Sequence, residues 1–229
     1  MKFEFFKPII DLFFPKACFA CSNYLSDNED GICVSCRHDL PVTNFHFNND
    51  DTVKNVLRGR ATIEQATALL RFEKKGLAQQ LIHNLKYKNQ EYIGELLGHW
   101  LGGELKNIIA YQEIDIVIPV PLHPKKLKQR GYNQVTKFGQ SIAKNLGTLY
   151  VDDILVKHYN TTSQTKKERL ARWQNSTEIF AFNKRYNIEY KHILLVDDII
   201  TTGATLEACC EVLSKVKGVK ISIATMAIA

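Results

Sequence analysis

Apolar positions in the second half of the chain follow two alternating patterns. Mostly apolar runs, typical of buried strands, lie at 114–120, 150–156, 192–198 and 220–229. Between them, helices are predicted over 133–146, 166–175 and 205–216. Because strands with both faces buried are typical of parallel sheets covered by helices, the alternation predicts an α/β fold with helices on both faces of a parallel sheet.

The first half of the chain is patterned differently. Its predicted elements are one short strand and two helices, at 66–73, 75–88 and 91–110. Gly102 and Gly103 weaken the last of these helices. Residues 41–51 are polar and aperiodic, which predicts a linker. We therefore divide the chain into a cysteine-containing element, a helical hood-like segment preceded by a linker, and an α/β domain, over 1–45, 46–110 and 111–229.

The first 15 residues are apolar but contain Glu4, Lys7 and Asp11. They lack a small-residue cleavage site, so we predict an amphipathic helix that packs on the protein rather than a signal peptide. No apolar run approaches the roughly 20 residues that cross a bilayer. We therefore expect no stable membrane insertion.

Composition adds a bias in charge. Apolar residues make up 45% and charged residues 24% of the chain, and the formal net charge is +6. A mildly basic protein favours phosphorylated or nucleic-acid partners without identifying either. Six cysteines without a secretion signal indicate a reducing compartment, so we expect a cytoplasmic protein.

Four cysteines form two Cys-x-x-Cys pairs, Cys18 with Cys21 and Cys33 with Cys36. Two such pairs supply the four thiolates of a tetrahedral structural zinc site, so the 1–45 element is interpreted as a zinc ribbon. Two disulfides or a redox pair are the alternatives; a reducing compartment disfavours the first, and the lack of a surrounding βαβ pattern disfavours the second. The remaining two cysteines, Cys209 and Cys210, are predicted to lie in the core.

The strand predicted at 192–198 ends in two adjacent carboxylates, Asp197 and Asp198. Burying such a pair is costly unless a ligand or another group compensates. Small and hydroxylated residues follow at the start of a helix: Thr201, Thr202, Gly203, Ala204 and Thr205. Their N–H and O–H groups can bind a phosphate, while the carboxylates suit ribose hydroxyls, directly or through Mg²⁺. The simpler alternative is an acidic strand end before a capped helix.

The complete stretch LLVDDIITTGATL, residues 194–206, resembles the phosphoribosyl pyrophosphate (PRPP) signature of type I phosphoribosyltransferases. Further stretches resemble the ComF family of competence-associated, phosphoribosyltransferase-like proteins. They are LFFPKAC with its paired cysteines, HNLKYK, IVIPVPLHPKKLKQRGYNQ and QTKKERLARWQNSTEIFAF. The similarity runs from about Leu12 to the last residue, with the zinc element, helical segment and transferase-like domain in that family's order.

The resemblance implies a type I phosphoribosyltransferase-like sheet and assigns roles to its residues. Asp197 and Asp198 would be catalytic and would orient the ribose, and 201–205 would hold its 5′-phosphate. Pyrophosphate would bind at the end of the first buried strand, at Val120, Pro121 and Leu122. The basic stretch 123–134 would be a mobile excursion closing over the ligand, with Arg130 as its best single candidate. Zinc would be structural, and Mg²⁺ would act at the ligand.

The chain departs from the ComF pattern before a Thr-x-x-Gln motif. Lys157 and Tyr159 stand where arginines are expected, and lysine keeps the charge but loses the bidentate guanidinium. The positions that match this pattern are Thr161, Gln164, Arg169 and Asn175. These departures concern the part of the site that would bind the acceptor substrate or a partner. Elsewhere, His83 is predicted to be a partly buried helical histidine, and Lys86 and Tyr87 are candidates for the rim of the site.

Three functions remain open at this level. The first is an enzyme that displaces pyrophosphate from PRPP with Mg²⁺ present. The second is a non-catalytic PRPP-binding module in DNA uptake. The ComF resemblance implies a link to competence, and the zinc element with the basic surface fits docking to DNA or to a helicase-like partner. The third is a single-stranded DNA binder whose phosphate loop holds the strand itself.

Overall fold

A five-stranded parallel sheet lies at the centre of the structure, a computed structural model that describes residues 15–157 and 180–229. Its strands are β1 (Ala66–Arg71), β2 (Ile116–Pro119), β3 (Leu149–Tyr150), β6 (His192–Ile200) and β7 (Lys220–Ile228). They are arranged in the order β1-β7-β6-β2-β3. Two further strands, β4 (Leu155–Lys157) and β5 (Phe180–Phe182), form a separate antiparallel pair.

Helices connect these strands and cover both faces of the sheet. In chain order they are α1 (Val34–Asp39), α2 (Phe45–Asn48), α3 (Thr52–Val56), α4 (Leu77–Tyr87), α5 (Tyr92–Leu105), α6 (Ile109–Gln112), α7 (Pro124–Arg130), α8 (Val135–Leu146) and α9 (Ala204–Leu213). The described helices are all too short or too polar to span a bilayer. The predicted α/β fold, a parallel sheet with helices on both faces, is confirmed.

Two hydrophobic cores lie on the two faces of the sheet. Alternate residues of β6 belong to different cores: Leu194 and Val196 face α4, α5 and α8, whereas Ile193 and Leu195 face α3, α9 and the β4–β5 pair. This follows from strand geometry, since successive side chains point to opposite faces. The cysteine element contributes Cys36 to the first core, so it packs on the domain instead of standing apart.

The middle segment is also joined to the sheet. β1 pairs in parallel with β7, which places a strand of residues 46–110 in the same sheet as the strands of 111–229. Residues 41–51, predicted to be a linker, are in contact with the domain: Val42 forms a bridge with Leu70, and Phe45 is buried. An aperiodic polar sequence does not reveal that single apolar side chains are anchored in the core.

Three sequence predictions of elements need correction. The strand predicted over 150–156 is two short strands in different sheets, because the chain bends over residues 152–154. The helix predicted over 91–110 ends at Leu105, and α6 starts separately. The excursion predicted over 123–134 contains α7, with Pro124 in its first turn, where proline is favoured because its missing N–H is not needed.

Some predictions concern residues outside the described part of the chain. They are the amino-terminal amphipathic helix, the helix at 166–175, and the motif positions Tyr159, Thr161, Gln164, Arg169 and Asn175.

Candidate functional site

The acidic pair lies near the carboxyl end of the central strand. β6 pairs with β2 only as far as Pro119 opposite Val196, but continues along β7 to Ile200. Asp197 and Asp198 therefore lie beyond the end of β2, where one side of β6 has no strand neighbour. The carboxyl end of a parallel strand is where open α/β sheets bind ligands.

Asp197 lies in an environment that disfavours its charged form. Burial, together with the neighbouring charge of Asp198, raises the pKa of the Asp197 carboxyl to about 7. The backbone N–H of Asp198 donates to Asp197 Oδ1 at 2.8 Å, and the charges of Lys86 and Lys157 act in the opposite direction. The cost of placing two carboxylates side by side is therefore only partly offset by the protein itself.

Asp198 forms an ion pair with a lysine from the helical segment. Lys86 Nζ lies 2.8 Å from Asp198 Oδ2, and each side chain is 19% exposed. Lys86 is in the last turn of α4, where a cation is favoured by the helix dipole. The sequence placed Lys86 and Tyr87 only at the rim of the site; the structure shows that Lys86 contacts the acidic pair directly.

The loop after β6 forms a small open pocket with about 240 Å³ of empty space. Its lining includes the acidic residue Asp197 and the five residues of the threonine loop: Thr201, Thr202, Gly203, Ala204 and Thr205. The N–H groups of Thr202 and Gly203 meet no acceptor among the described residues, whereas that of Ala204 is 3.5 Å from Thr202 Oγ1. The loop thus presents free donors at the amino end of α9.

Gly203 is required by the shape of this loop. Its φ is +76°, a backbone conformation that residues with a side chain rarely adopt. A Cβ at this position would also lie 2.8 Å from Leu57 Cδ2 and 3.0 Å from Val56 Cγ1. The threonine loop is therefore packed tightly against the end of α3, which fixes its position relative to the sheet.

Arg60 makes a second connection to the threonine loop, and no sequence pattern predicts it. Its Nη2 donates to the carbonyl oxygen of Thr202 at 2.7 Å and also to that of Val56. Its Nη1 lies 2.7 Å from Glu207 Oε2 in the first turn of α9. One guanidinium thus ties together α3, the threonine loop and α9.

A larger open pocket, with about 710 Å³ of empty space, lies beside the threonine loop. Seven residues that are predicted to bind PRPP line this pocket: Val120, Pro121, Leu122, Arg130, Asp197, Asp198 and Thr205. It shares Asp197, Ile199 and Thr205 with the smaller pocket. The structure thus brings every predicted PRPP-contacting residue to one of two adjoining pockets, and their individual roles stay predictions.

Cations dominate the larger pocket. Its charged lining residues are Lys86, Lys126, Arg130 and Lys157, opposite the two carboxylates of Asp197 and Asp198. Burial and the nearby charge of Lys126 lower the pKa of Lys157, while Asp197 acts in the opposite direction. An excess of positive charge in one pocket favours a ligand that carries several negative charges.

The rim of this pocket is held by specific contacts. Arg130 Nη1 donates to Gln134 Oε1 at 2.6 Å, and its guanidinium lies 5.3 Å from the ring centre of Tyr87. Asn133 Nδ2 donates to the carbonyl oxygen of Val120 at 3.0 Å. The basic stretch is therefore attached to both the strand end and α4. His83, predicted to be partly buried, is exposed and packs against the ring of Tyr87.

The four clustered cysteines form a second potential ligand set. The Sγ atoms of Cys18, Cys21, Cys33 and Cys36 all lie within 4.8 Å of one another, and all six cysteines of the chain are free. Burial opposes ionisation of Cys18, but backbone N–H groups outweigh it and lower its pKa to about 7. This cluster can hold one metal ion, and Cys209 and Cys210 lie in the core as predicted.

Comparison with known proteins identifies a matching domain and several relatives. The family described as the phosphoribosyl transferase domain matches residues 136–228. The chain is 24% identical over 214 residues to Competence protein F of Haemophilus influenzae, covering 89% of this chain and 93% of that protein. It is 34% identical over 123 residues to Competence protein ComFC of Streptococcus pneumoniae, covering 53% of this chain and 50% of that protein.

A third relative and one solved structure are more distant or shorter matches. DNA utilization protein YhgH of Escherichia coli strain K12 is 26% identical over 136 residues, covering 58% of this chain and 59% of that protein. A hypoxanthine phosphoribosyltransferase from Staphylococcus aureus superposes with a TM-score of 0.34 at 22% identity, covering 59% of this chain and 62% of that one.

Proposed function

We propose that this chain, a phosphoribosyltransferase-like relative of Competence proteins F and ComFC, binds PRPP in the two adjoining pockets at the end of β6. The names of these relatives and the matched domain confirm the resemblance to the ComF family. The observation that carries the proposal is the convergence of an acidic pair, a loop of free donors and four cationic side chains at one edge of the sheet.

The smaller pocket is proposed to hold the ribose 5-phosphate part of the ligand. Free N–H groups of Thr202 and Gly203, at the amino end of α9, suit a phosphate because they point partial positive charge at it. Asp197 and Asp198 lie next to this loop and would accept hydrogen bonds from the ribose hydroxyls. The ligand would thus add to the stabilisation of the acidic pair, which the fold provides only in part through Lys86 and Lys157.

The larger pocket is proposed to hold the pyrophosphate. Val120, Pro121 and Leu122 follow the end of β2, and the side chains of Lys126 and Arg130 face the same space from α7. Several cations in a partly buried site stabilise a multiply charged anion more strongly than they would in open water. Arg130 is the best suited of them, because its planar guanidinium can donate two hydrogen bonds to a phosphate.

Both proposed metal ions fit the residues that would hold them. Carboxylate oxygens are ligands that Mg²⁺ prefers, so Asp197 and Asp198, which both line the larger pocket, are its candidate ligands. When bound with the ligand, Mg²⁺ supplies charge neutralisation at the pyrophosphate. The four converging thiols suit a structural Zn²⁺, because all four positions of a tetrahedral ion would be filled by protein.

In the enzymatic form of this proposal, a nucleophile forms a bond to C1 of PRPP while the bond from C1 to the pyrophosphate oxygen breaks. The electron pair leaves with the pyrophosphate, whose charge the lysines and arginine of the larger pocket stabilise. The acidic pair and the threonine loop hold the ribose in place during this exchange.

Calorimetric titration of PRPP in the presence of Mg²⁺ tests the binding proposal. We expect wild-type protein to bind, and Asp198→Asn to weaken binding by about tenfold or more, since it removes a charged acceptor worth roughly 1.5–3 kcal/mol. Asp152→Asn is the matched control, because Asp152 is exposed and does not line either pocket. Absence of binding to the wild-type protein would refute the proposal.

Release of pyrophosphate then separates an enzyme from a binding module. PRPP is incubated with purine and pyrimidine bases, and pyrophosphate is measured with wild-type protein and with Asp198→Asn. Release that depends on one base and is lost in the variant supports a transferase.

A second candidate is a non-catalytic adaptor in DNA uptake. Lys157 lines the pocket at a position where the ComF pattern has arginine, and one relative carries the name DNA utilization protein. The excess of basic residues is compatible with the binding of single-stranded DNA by a protein located in the cytoplasm. PRPP binding without any pyrophosphate release, or single-stranded DNA binding with a steep salt dependence, favours this candidate.

A further inference from the structure

Lys86 lines the larger pocket, where it lies beside the acidic pair proposed to hold the ribose. Its Nζ is paired with Asp198, the residue proposed to accept ribose hydroxyls, yet its side chain also lines the larger pocket proposed for pyrophosphate. A lysine carries its charge on a flexible four-carbon stem, so its ammonium can change partners without movement of the backbone. Lys86 is thus within reach of two anionic partners, one from the protein and one from the ligand.

The backbone of Lys86 is fixed on both sides by contacts of α4. Asn84 Nδ2 donates to the carbonyl oxygen of Phe19, which lies between Cys18 and Cys21, at 2.7 Å. The hydroxyl of Tyr132 donates to the carbonyl oxygen of Leu85. Leu81 and Leu85 are fully buried in the first core. The last turn of α4 therefore holds Lys86 at a set position while its side chain remains 19% exposed.

The ion pair has a consequence for the acidic residues. While Lys86 contacts Asp198 Oδ2, its ammonium occupies one acceptor position of that oxygen and competes there with a ribose hydroxyl. A pyrophosphate in the larger pocket presents more negative charge than one carboxylate, so it competes for the ammonium. Transfer of Lys86 to the pyrophosphate would free Asp198 for the sugar.

We propose that Lys86 is a pyrophosphate-binding residue that exchanges partners on ligand binding, pairing with Asp198 in the free protein and with the pyrophosphate of PRPP in the complex. The inference rests on the proposed PRPP site and adds a residue from the helical segment, outside the matched domain at 136–228. This exchange of partners makes binding of the pyrophosphate favour binding of the ribose, because the pyrophosphate withdraws from Asp198 the ammonium that competes with the ribose hydroxyls.

The test compares three ligands by calorimetry in the presence of Mg²⁺: PRPP, inorganic pyrophosphate and ribose 5-phosphate. Lys86→Met keeps the length of the side chain but removes its charge, and Lys86→Gln is a second neutral variant if the first is unstable. Lys88→Met is the matched control, since Lys88 ends the same helix, is exposed and does not line the larger pocket. Thermal unfolding of each variant checks that the fold is retained.

Partner exchange predicts opposite effects on the two fragments of the ligand. The neutral variants should bind pyrophosphate and PRPP about tenfold or more weakly, the loss expected for a charged hydrogen bond. They should bind ribose 5-phosphate as well as the wild-type protein or more tightly, because Asp198 is no longer paired. If the ion pair had a structural role only, its loss in the neutral variants would lower the affinity for all three ligands together.

Two results overturn the inference while the proposed function stands. One is pyrophosphate binding by the neutral variants within about twofold of wild type; the other is an equal loss for ribose 5-phosphate and pyrophosphate while wild-type protein binds PRPP. Wild-type protein that binds none of the three ligands overturns the proposed function and the inference together.

Discussion

Arg60 shows how one side chain can set the shape of the threonine loop without lining the proposed ligand site. Its guanidinium donates to the carbonyl oxygen of Thr202 and pairs with Glu207, so both ends of the turn into α9 are held. A carbonyl held in this way restrains the peptide plane that it shares with the N–H of Gly203, one of the residues that line the smaller pocket. Arg60 does not line that pocket, which makes it a positioning residue.

We expect Arg60→Ala to weaken ribose 5-phosphate binding by about fivefold, or roughly 1 kcal/mol, since its contacts are partly exposed and correspondingly weak. Arg58→Ala is the control, because Arg58 is exposed and forms no ion pair among the described residues. Titration of both variants checks the expectation. Equal affinities in the two variants would show that the loop keeps its shape without the guanidinium.

At the scale of elements, the close contact of α5 with α8 supports the larger pocket. Gly94, Gly98 and Gly102 recur every fourth residue and so lie on one face of α5, directly against α8. A Cβ at Gly98 would lie 2.5 Å from the carbonyl oxygen of Phe138. α8 begins directly after Asn133, which bonds to Val120, and Gln134, which bonds to Arg130. The packing of α8 on α5 therefore fixes the rim of the pocket.

Two glycines of α5 should therefore respond to alanine in opposite directions. Gly98→Ala should lower the free energy of unfolding by about 1–3 kcal/mol, because the backbone of α8 must move away. Gly103→Ala should raise it by up to about 1 kcal/mol, because nothing lies within 4 Å of the new Cβ and alanine favours a helix. Urea unfolding measures both changes. Similar values for the two variants would contradict the close approach of these helices.

At the scale of the whole molecule, the cysteine element and the proposed ligand site are joined through α4. Cys18 and Cys36 share the first core with Leu81 and Leu85, and Asn84 bonds to the backbone between the first two cysteines. The threonine loop packs instead against residues of the second core near α3. Loss of a metal should therefore affect the two pockets differently.

Removal of the proposed structural zinc by chelation, or Cys18→Ser, should lower the midpoint of thermal unfolding by about 10 °C, which corresponds to roughly 3 kcal/mol for a chain of this size. The affinity for pyrophosphate should fall together with the midpoint of unfolding, whereas ribose 5-phosphate binding should persist in the folded fraction. Metal analysis and calorimetry measure these effects. Cys210→Ala, which removes a core thiol, should keep the full zinc content. Zinc content unchanged in Cys18→Ser would contradict the four-thiol site.

The sequence by itself determined the features that depend on local spacing. The buried strands β2, β6 and β7, the helices α4, α8 and α9, and the grouping of cysteines in pairs are written in short periodic patterns, which specify local structure directly. The order of residues 194–206 likewise places the acidic pair immediately before the threonine loop. These features required no knowledge of distant contacts.

The tertiary structure decided the contacts that join residues far apart along the chain. The pairing of Lys86 with Asp198, the contact of Arg60 with Thr202, and the burial of Phe45 all depend on how helices pack on the two faces of the sheet. A lysine or arginine in an amphipathic or turn segment is typical of a solvated surface, and its sequence neighbours do not reveal its partner. Such partners are fixed only when packing brings separate elements together, because one side chain contacts whatever the fold places within a few ångströms of it.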